Sequence, residues 1–243
     1  AFKDEETITS VTIPNSVTTI GSGAFWYCTS LQTVYNFSSL ILTAGSDANG
    51  YVAYYADKVI NAPNGSIEGD YVFGIIDGVN TLCGYIGNGG DIVLPADYKG
   101  KNYVIGAYAF KDEKAITSVT IPNSVTTIGS GAFSDCTGLT SVTIPNSVTS
   151  IGSEAFYNTA WYNNQPDGLV YAGKVLYKYK GTMPQNTSIV IKDGTLGIAG
   201  FAFLGCTDLT SVTIPNGVTT IEYCAFSYCS GLTSVTIGNS VTT

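Results

Sequence analysis

The feature that most constrains this chain is a 23-residue spacing. Ala109–Gly131 reads AFKDEKAITSVTIPNSVTTIGSG and Ala132–Glu154 reads AFSDCTGLTSVTIPNSVTSIGSE. Ala-Phe pairs recur at 1 and 24, at 109, 132 and 155, and at 202 and 225. Self-similarity at a fixed period of this length is the signature of a stacked repeat architecture, in which each unit buries its apolar side chains only against its neighbours. Ala1–Phe25 also matches Ala109–Phe133 except at Glu6 and Thr7, so a block of about 108 residues is itself duplicated.

Within the unit that opens at Ala132, the apolar positions are Ala132, Phe133, Cys136, Leu139, Val142, Ile144, Val148 and Ile151. Period-2 alternation through Val142 and Ile144 predicts a short strand. Pro145-Asn146-Ser147 supplies turn chemistry, and Val148 and Ile151 anchor a return stretch ended by Gly152. The next Ala-Phe pair is expected to open a short helical or 3₁₀ turn.

The pattern Leu139-x-x-Val142-x-Ile144-Pro145, then Val148-x-x-Ile151-Gly152-x-x-Ala155-Phe156, resembles the BspA-like, or Treponema-type, leucine-rich repeat family. The full pattern recurs in the copies starting at 1, 109, 132 and 202, and at 225 with Gly238 in place of Pro. Variant units run from Asp91 to Phe110, with a longer turn, and from Ile189 to Phe203. The resemblance implies an α/β leucine-rich-repeat solenoid rich in strand: a right-handed curved stack with a parallel sheet on its concave face. Members of the family are typically secreted or surface-anchored in host-associated bacteria and protists, and several bind matrix proteins or other cells.

A single solenoid domain is expected over 1–243, with regular repeats at 1–37, 91–160 and 187–243 and insertions at about 38–90 and 161–186. The first insertion is rich in Tyr, including Tyr51, Tyr54, Tyr55, Tyr71 and Tyr85. In the second, Val170-Tyr171 and Val175-Leu176-Tyr177 flank Ala172-Gly173-Lys174 and predict a β-hairpin; Ile75–Val79 predicts a similar element. Such insertions are expected to project from one side of the stack, where they either pack on its flank or contact a ligand. The chain begins at Ala1 in mid-repeat without Met and stops at Thr243 in mid-repeat, so a longer precursor is expected.

Composition excludes several functions. The chain is 44% hydrophobic but only 12% charged, with a net charge of −8 and 10 Lys and Arg together. No basic face is available to displace counterions from nucleic acid or to bind an anionic membrane surface, and no apolar run approaches a membrane span. Histidine is absent, which removes the usual general base and the commonest zinc ligand. No catalytic, cofactor or metal site is expected. Asp4-Glu5-Glu6 and Asp112-Glu113 are duplicated loop acids, and Asp47-Ala48-Asn49-Gly50 lacks the later Glu of a calcium loop. Asn36 and Asn186 open glycosylation sequons. Cys28, Cys136, Cys206 and Cys229 share one unit position, which predicts an inward column of small apolar side chains. A disulfide between Cys206 and Cys229 is geometrically demanding.

What remains for function is the outward column of Ser10, Ser118, Ser141, Ser211 and Ser234, the column of Thr12, Thr120, Thr143, Thr213 and Thr236, and the aromatic insertions. The candidate binding surface is therefore Ser118, Thr120, Ser141, Thr143, Ser211, Thr213, Ser234 and Thr236 together with Tyr54, Tyr55, Trp161 and Tyr162. The leading expectation is an extracellular or cell-surface adhesion module for a host or matrix protein. A carbohydrate-binding module suggested by Trp161, Tyr162 and the Tyr-rich insertion, and a passive spacer of a larger surface protein, stay open beside it, as does the oligomeric state.

Overall fold

The computed structural model describes residues 2–242; Ala1, of the opening Ala-Phe pair, and Thr243 lie outside the described residues. The chain divides into two compact units, residues 1–87 and 88–243.

In the first unit, β1 (Ser10–Ile13), β2 (Thr33–Asn36) and β3 (Lys58–Asn61) form a parallel sheet, with Ser10 opposite Thr33 and Thr33 opposite Lys58. Alternation turns Val11, Ile13, Val34 and Val59 to one cluster, whereas Ile60, on the opposite face of β3, is buried in a second cluster with Ala62 and Val72. β3 lies inside the segment expected to interrupt the repeat from about 38, so the stack runs one coil further than the Ala-Phe signature. The reason is Gly50. It takes the alanine slot of this coil, its carbonyl accepting from the Phe25 N–H at 2.8 Å. Its φ is +66°, and a Cβ there would lie 2.3 Å from the Gly21 carbonyl oxygen, so alanine is excluded.

Asn36 is fully buried, its amide donating to Asn61 Oδ1 at 2.8 Å and to the Leu40 carbonyl at 2.6 Å. Its place in a sequon therefore serves the fold. After β3 come β4 (Ser66–Glu68), β5 (Tyr71–Ile76) and β6 (Val79–Tyr85), an antiparallel meander. The expected hairpin closes at Asp77-Gly78, both with positive φ.

The second unit opens with β7 (Gly90–Val93), β8 (Tyr103–Ile105), β9 (Ile116–Thr120), β10 (Val125–Ile128), β11 (Ser141–Thr143) and β12 (Ser150–Ile151). These alternate between two parallel sheets, β7-β9-β11 and β8-β10-β12. Ser118 lies opposite Ser141 and Ile128 opposite Ile151, so β9–β11 and β10–β12 keep the 23-residue register, whereas β7–β9, across the longer turn, pairs Asp91 with Ser118. The return stretch is thus itself a strand. Val119, Ile121, Val125 and Ile128 fill the space between the layers.

A four-residue helix, α1 (Ala160–Asn163), follows, N-capped by the Thr159 hydroxyl, which accepts from the Tyr162 N–H. Next come β13 (Gly168–Ala172), β14 (Val175–Lys180), β15 (Thr187–Val190), β16 (Gly197–Ile198), β17 (Leu209–Ile214), β18 (Thr220–Ile221) and β19 (Ser234–Ile237). β13 and β14 form the expected hairpin, and β14 pairs in parallel with β16, which pairs with β18. The hairpin therefore does not project from the stack; it is a layer of it. Val175 and Leu176 are buried and Tyr177 is only 3% exposed. No strand of the insertion joins the first layer, however, so β7-β9-β11 and β15-β17-β19 are separate sheets. The repeat strands pair in parallel as expected, and the insertion divides both layers, β8-β10-β12 and β13-β14-β16-β18 being separate sheets as well. At the break the hairpin turn abuts β11's end: a Cβ on Gly173 would lie 3.0 Å from Ile144 Cγ2.

The Ala-Phe segments are runs of turns rather than helices. Two left-handed residues per coil impose the corner, one before the alanine (Tyr108, Gly131, Glu154, Cys224) and one two residues after the phenylalanine (Asp112, Asp135, Asn158, Gly205). The corner stacks the phenylalanines: Phe110–Phe133 ring centroids are 4.8 Å apart, Phe133–Phe156 5.5 Å, and Phe203–Phe226 5.0 Å. Each Phe N–H donates to the alanine carbonyl of the next coil, as Phe110 to Ala132 at 2.8 Å and Phe133 to Ala155 at 2.7 Å. The Cys column is inward as expected, and it also donates: Cys136 Sγ lies 2.8 Å from the Phe110 carbonyl, and Cys229 Sγ 3.1 Å from that of Phe203. All six cysteines are free thiols.

At Phe156 the next coil is the hairpin, which offers no alanine carbonyl. The Tyr177 hydroxyl takes its place, accepting from the Phe156 N–H at 3.0 Å while its ring meets Phe156 edge-on at 5.5 Å. Two residues on, the Tyr179 N–H resumes the pattern by donating to Ala202.

Phe133→Ala should lower unfolding free energy by about 3–5 kcal/mol in chemical denaturation, because the cavity opens between two stacked rings. Tyr177→Phe leaves the buried Phe156 N–H unpaired and should cost about 1–3 kcal/mol, whereas exposed Tyr157→Phe should stay within about 0.5 kcal/mol. Burial pushes the Cys136 thiol up to about 12 from 9.0. Above pH 9 the unfolded chain ionises that thiol while the folded one does not, so its contribution to stability is full below pH 9 and is lost as pH rises towards 12. The denaturation midpoint of Cys136→Ala should accordingly fall less than that of the parent between pH 8 and 11.

Candidate functional site

Alternation along each strand sends one set of side chains to the core and the other to the surface. On β9 and β11 the outward set is Ser118, Thr120, Ser141 and Thr143; on β17 and β19 it is Ser211, Thr213, Ser234 and Thr236. Thr120, Ser141, Thr143, Thr213, Ser234 and Thr236 are exposed, and Ser118 and Ser211 half-buried. The structure thus brings the eight residues into two groups of four, one on each sheet. Ser10 and Thr12 lie on β1, in the first unit.

Hydroxyls on these strands do two different things. One column bonds the backbone of the preceding coil: Thr140 Oγ1 donates to the Thr117 carbonyl at 3.1 Å, Thr210 to Thr187 at 3.0 Å and Thr233 to Thr210 at 3.1 Å. Among the described residues, by contrast, the hydroxyls of Thr120, Thr143, Thr213 and Thr236 make no hydrogen bond within the chain. At the β7 edge Asp91 replaces the column serine and accepts from Thr117 and Ser118, both at 2.7 Å. Those two hydroxyls hold its carboxyl below the usual range. In the threonine column, Val93 on β7 and Val190 on β15 stand opposite Thr120 and Thr213, and are 69% and 74% exposed. Each face is therefore weakly charged, rich in hydroxyls and edged by one apolar side chain, and on the second Val190, Thr213 and Thr236 border a cavity of about 390 Å³.

Trp161 and Tyr162 lie on α1 and are half-buried. The Trp161 ring packs on Phe156 at 4.9 Å, and Tyr162 meets Tyr177 edge-on at 5.6 Å. Lys180 Nζ caps the helix end, donating to the Tyr162, Asn163 and Gln165 carbonyls. Beside them a cavity of about 190 Å³ is lined by Glu154, Tyr157, Tyr162, Tyr177, Lys178 and Gly200. Burial lowers the Lys178 pKa, and its ammonium donates to the Phe201 carbonyl at 2.9 Å. Burial likewise raises the Tyr162 phenol, with Asp167 adding to the effect.

Tyr54 and Tyr55 belong to a ring array in the first unit that includes three residues outside the expected surface: Trp26, Tyr27 and Tyr51. Trp26 stacks on Tyr51 at 5.2 Å and lies nearly parallel to Tyr27 at 6.0 Å. Tyr51 meets Tyr54 at 5.4 Å, and Tyr54 meets Tyr55 at 4.9 Å, both edge-on. Trp26 and Tyr27 directly follow an Ala-Phe pair, at positions that hold Lys111-Asp112, Ser134-Asp135, Tyr157-Asn158, Leu204-Gly205 and Ser227-Tyr228 in other coils, none of them aromatic at both. That departure was the available signal.

Among the described residues no group of three or more His, Cys, Asp or Glu is placed to hold a metal ion, and no helix is long and apolar enough to cross a membrane.

The BspA type leucine rich repeat region model matches the chain in six copies, over residues 1–48, 103–166 and 176–243. No curated protein matches it. Among solved structures, a T. pallidum leucine rich repeat protein is 25% identical over 70% of each chain, with a TM-score of 0.42. A leucine rich cell surface protein from Faecalibacterium prausnitzii is 22% identical (TM-score 0.42), and the match covers 98% of this chain and 62% of that one. The pneumococcal vaccine antigen PcpA is 16% identical (TM-score 0.39), over 97% of this chain and 56% of its own. With the repeat, its register in the fold and a family model covering well over half of the residues, the chain belongs to the BspA type leucine-rich repeat family.

Proposed function

We propose that this chain is a non-catalytic binding module of a secreted or cell-surface bacterial protein, and that it holds a host or extracellular-matrix protein through its outward Ser/Thr faces. The observation that carries this reading is the division of labour among the hydroxyls. One threonine column is consumed by the backbone of the neighbouring coil, while Thr120, Thr143, Thr213 and Thr236 stand exposed without a partner in the chain. A free hydroxyl grid on a rigid parallel sheet presents many weak donors and acceptors at fixed spacing and little charge, which suits a broad protein surface better than a small molecule. The absence of histidine leaves these hydroxyls without an adjacent imidazole base, so they serve recognition rather than nucleophilic attack.

The reading is tested with immobilised matrix proteins, mucin and host cells as bait. The parent chain should bind at least one of them. Thr120→Lys/Thr143→Lys and Thr213→Lys/Thr236→Lys place charge on the faces and should weaken that binding while changing stability by no more than about 0.5 kcal/mol per site. Absence of binding across the panel, or full retention in both variants, contradicts it.

A further inference from the structure

We propose that the ring array of the first unit, Trp26 with Tyr27, Tyr51, Tyr54 and Tyr55, is a binding site for a neutral glycan, which lays the C–H face of a hexose on the exposed rings.

The fold requires Tyr55, whose hydroxyl accepts the Tyr27 N–H where other coils offer a backbone carbonyl, as Tyr157 does to Asp135, but it does not require Trp26 and Tyr27. Residues 1–25 are nearly a copy of 109–133, and the two copies part at the next two positions: Trp26-Tyr27 in one, Ser134-Asp135 in the other. The coil thus forms equally well with small polar residues there. In this copy the exchange places rings that are 42% and 52% exposed, next to Tyr54 at 46%. Leaving so much aromatic surface in water is unfavourable unless something covers it.

The geometry points to a sugar. The near-parallel rings of Tyr27, Trp26 and Tyr51 are buttressed edge-on by Tyr54 and Tyr55, and the Tyr27 N–H donates to the Tyr55 hydroxyl at 3.3 Å. Rings that hold one another need little further ordering on binding. Four phenols supply donors and acceptors around the apolar faces, matching a ligand that is apolar on its face and hydroxylated at its rim. The flanking residues Ser22, Thr29 and Ser30 are exposed and uncharged. All ten basic residues of the chain are lysines; it has no arginine. Arginine forks onto acidic groups, so its absence favours an uncharged glycan over an acidic sugar.

This site shares no residue with the Ser/Thr faces, so the two proposals fail independently. The test is an array of neutral oligosaccharides (glucans, xylans, mannans, galactans and neutral host-type chains) probed with the purified chain, with hits measured by calorimetry. At least one neutral class should bind. Trp26→Ala should weaken it by roughly tenfold or more, Trp26→Phe should retain most of the affinity, and Thr120→Lys/Thr143→Lys should leave it unchanged. An unchanged thermal midpoint in Trp26→Ala separates loss of the site from loss of the fold. A blank array, binding confined to acidic glycans, or undiminished binding in Trp26→Ala overturns the proposal. So does a blank array combined with a bait protein whose capture is lost in Trp26→Ala, which would make the array a protein contact.

Discussion

The structure depends on one repeated coupling, in which the phenylalanine of each coil stacks on that of the next and donates its N–H to the following alanine carbonyl. A single coil of this length has no interior of its own. The stacked rings supply apolar contact between layers, and the hydrogen bond fixes their spacing and angular register. The left-handed residues on either side of the Ala-Phe pair aim both groups along the stack. The cysteine thiol, donating to the phenylalanine carbonyl of the preceding coil, satisfies the other polar group of the same residue. What composition suggests is a small apolar filler is therefore also part of the coupling.

The second insertion shows how strict this requirement is. A hairpin has neither the Ala-Phe pair nor the spacing of a regular coil, yet it is tolerated as a layer because Tyr177 supplies both a ring and an acceptor at the point where Phe156 needs them. Both layers divide at the insertion, β8-β10-β12 from β13-β14-β16-β18 and β7-β9-β11 from β15-β17-β19, and β14 opens the second layer of the coils that follow. The insertion keeps ring contact across the junction, through Phe156 and Tyr177, and leaves two hydroxyl faces in place of one. The proposed function occupies what the coupling leaves over: the unpartnered threonines, and rings at turn positions where small polar residues serve the fold elsewhere.

Much of this was legible in the sequence. Val119, Ile121, Val125 and Ile128 occupy the core that the periodicity assigns them, and the hairpin at Gly173-Lys174 forms where its alternating flanks place it. The coil containing β3 was hidden because Gly50 replaces alanine, for a steric reason that only the approach to Gly21 reveals. The exchange of an alanine carbonyl for the Tyr177 hydroxyl joins residues in different layers and has no local signature. Trp161 and Tyr162 stood out by residue type, but Phe156 and Tyr177 claim their rings. Trp26 sits beside a regular Ala-Phe pair, and its partners Tyr51, Tyr54 and Tyr55 lie a coil away and meet it only when the stack is built.

The most direct test of the coupling is native-state amide hydrogen exchange at Phe133, Phe156 and Phe203. The account requires all three amides to be protected to a similar degree, with protection at Phe156 reduced selectively when the Tyr177 hydroxyl is removed and unchanged at Phe133. An amide at Phe156 that exchanges as fast as the exposed corner residues in the parent chain, while Phe133 stays protected, would show that the hairpin is no true layer of the stack and would contradict the account.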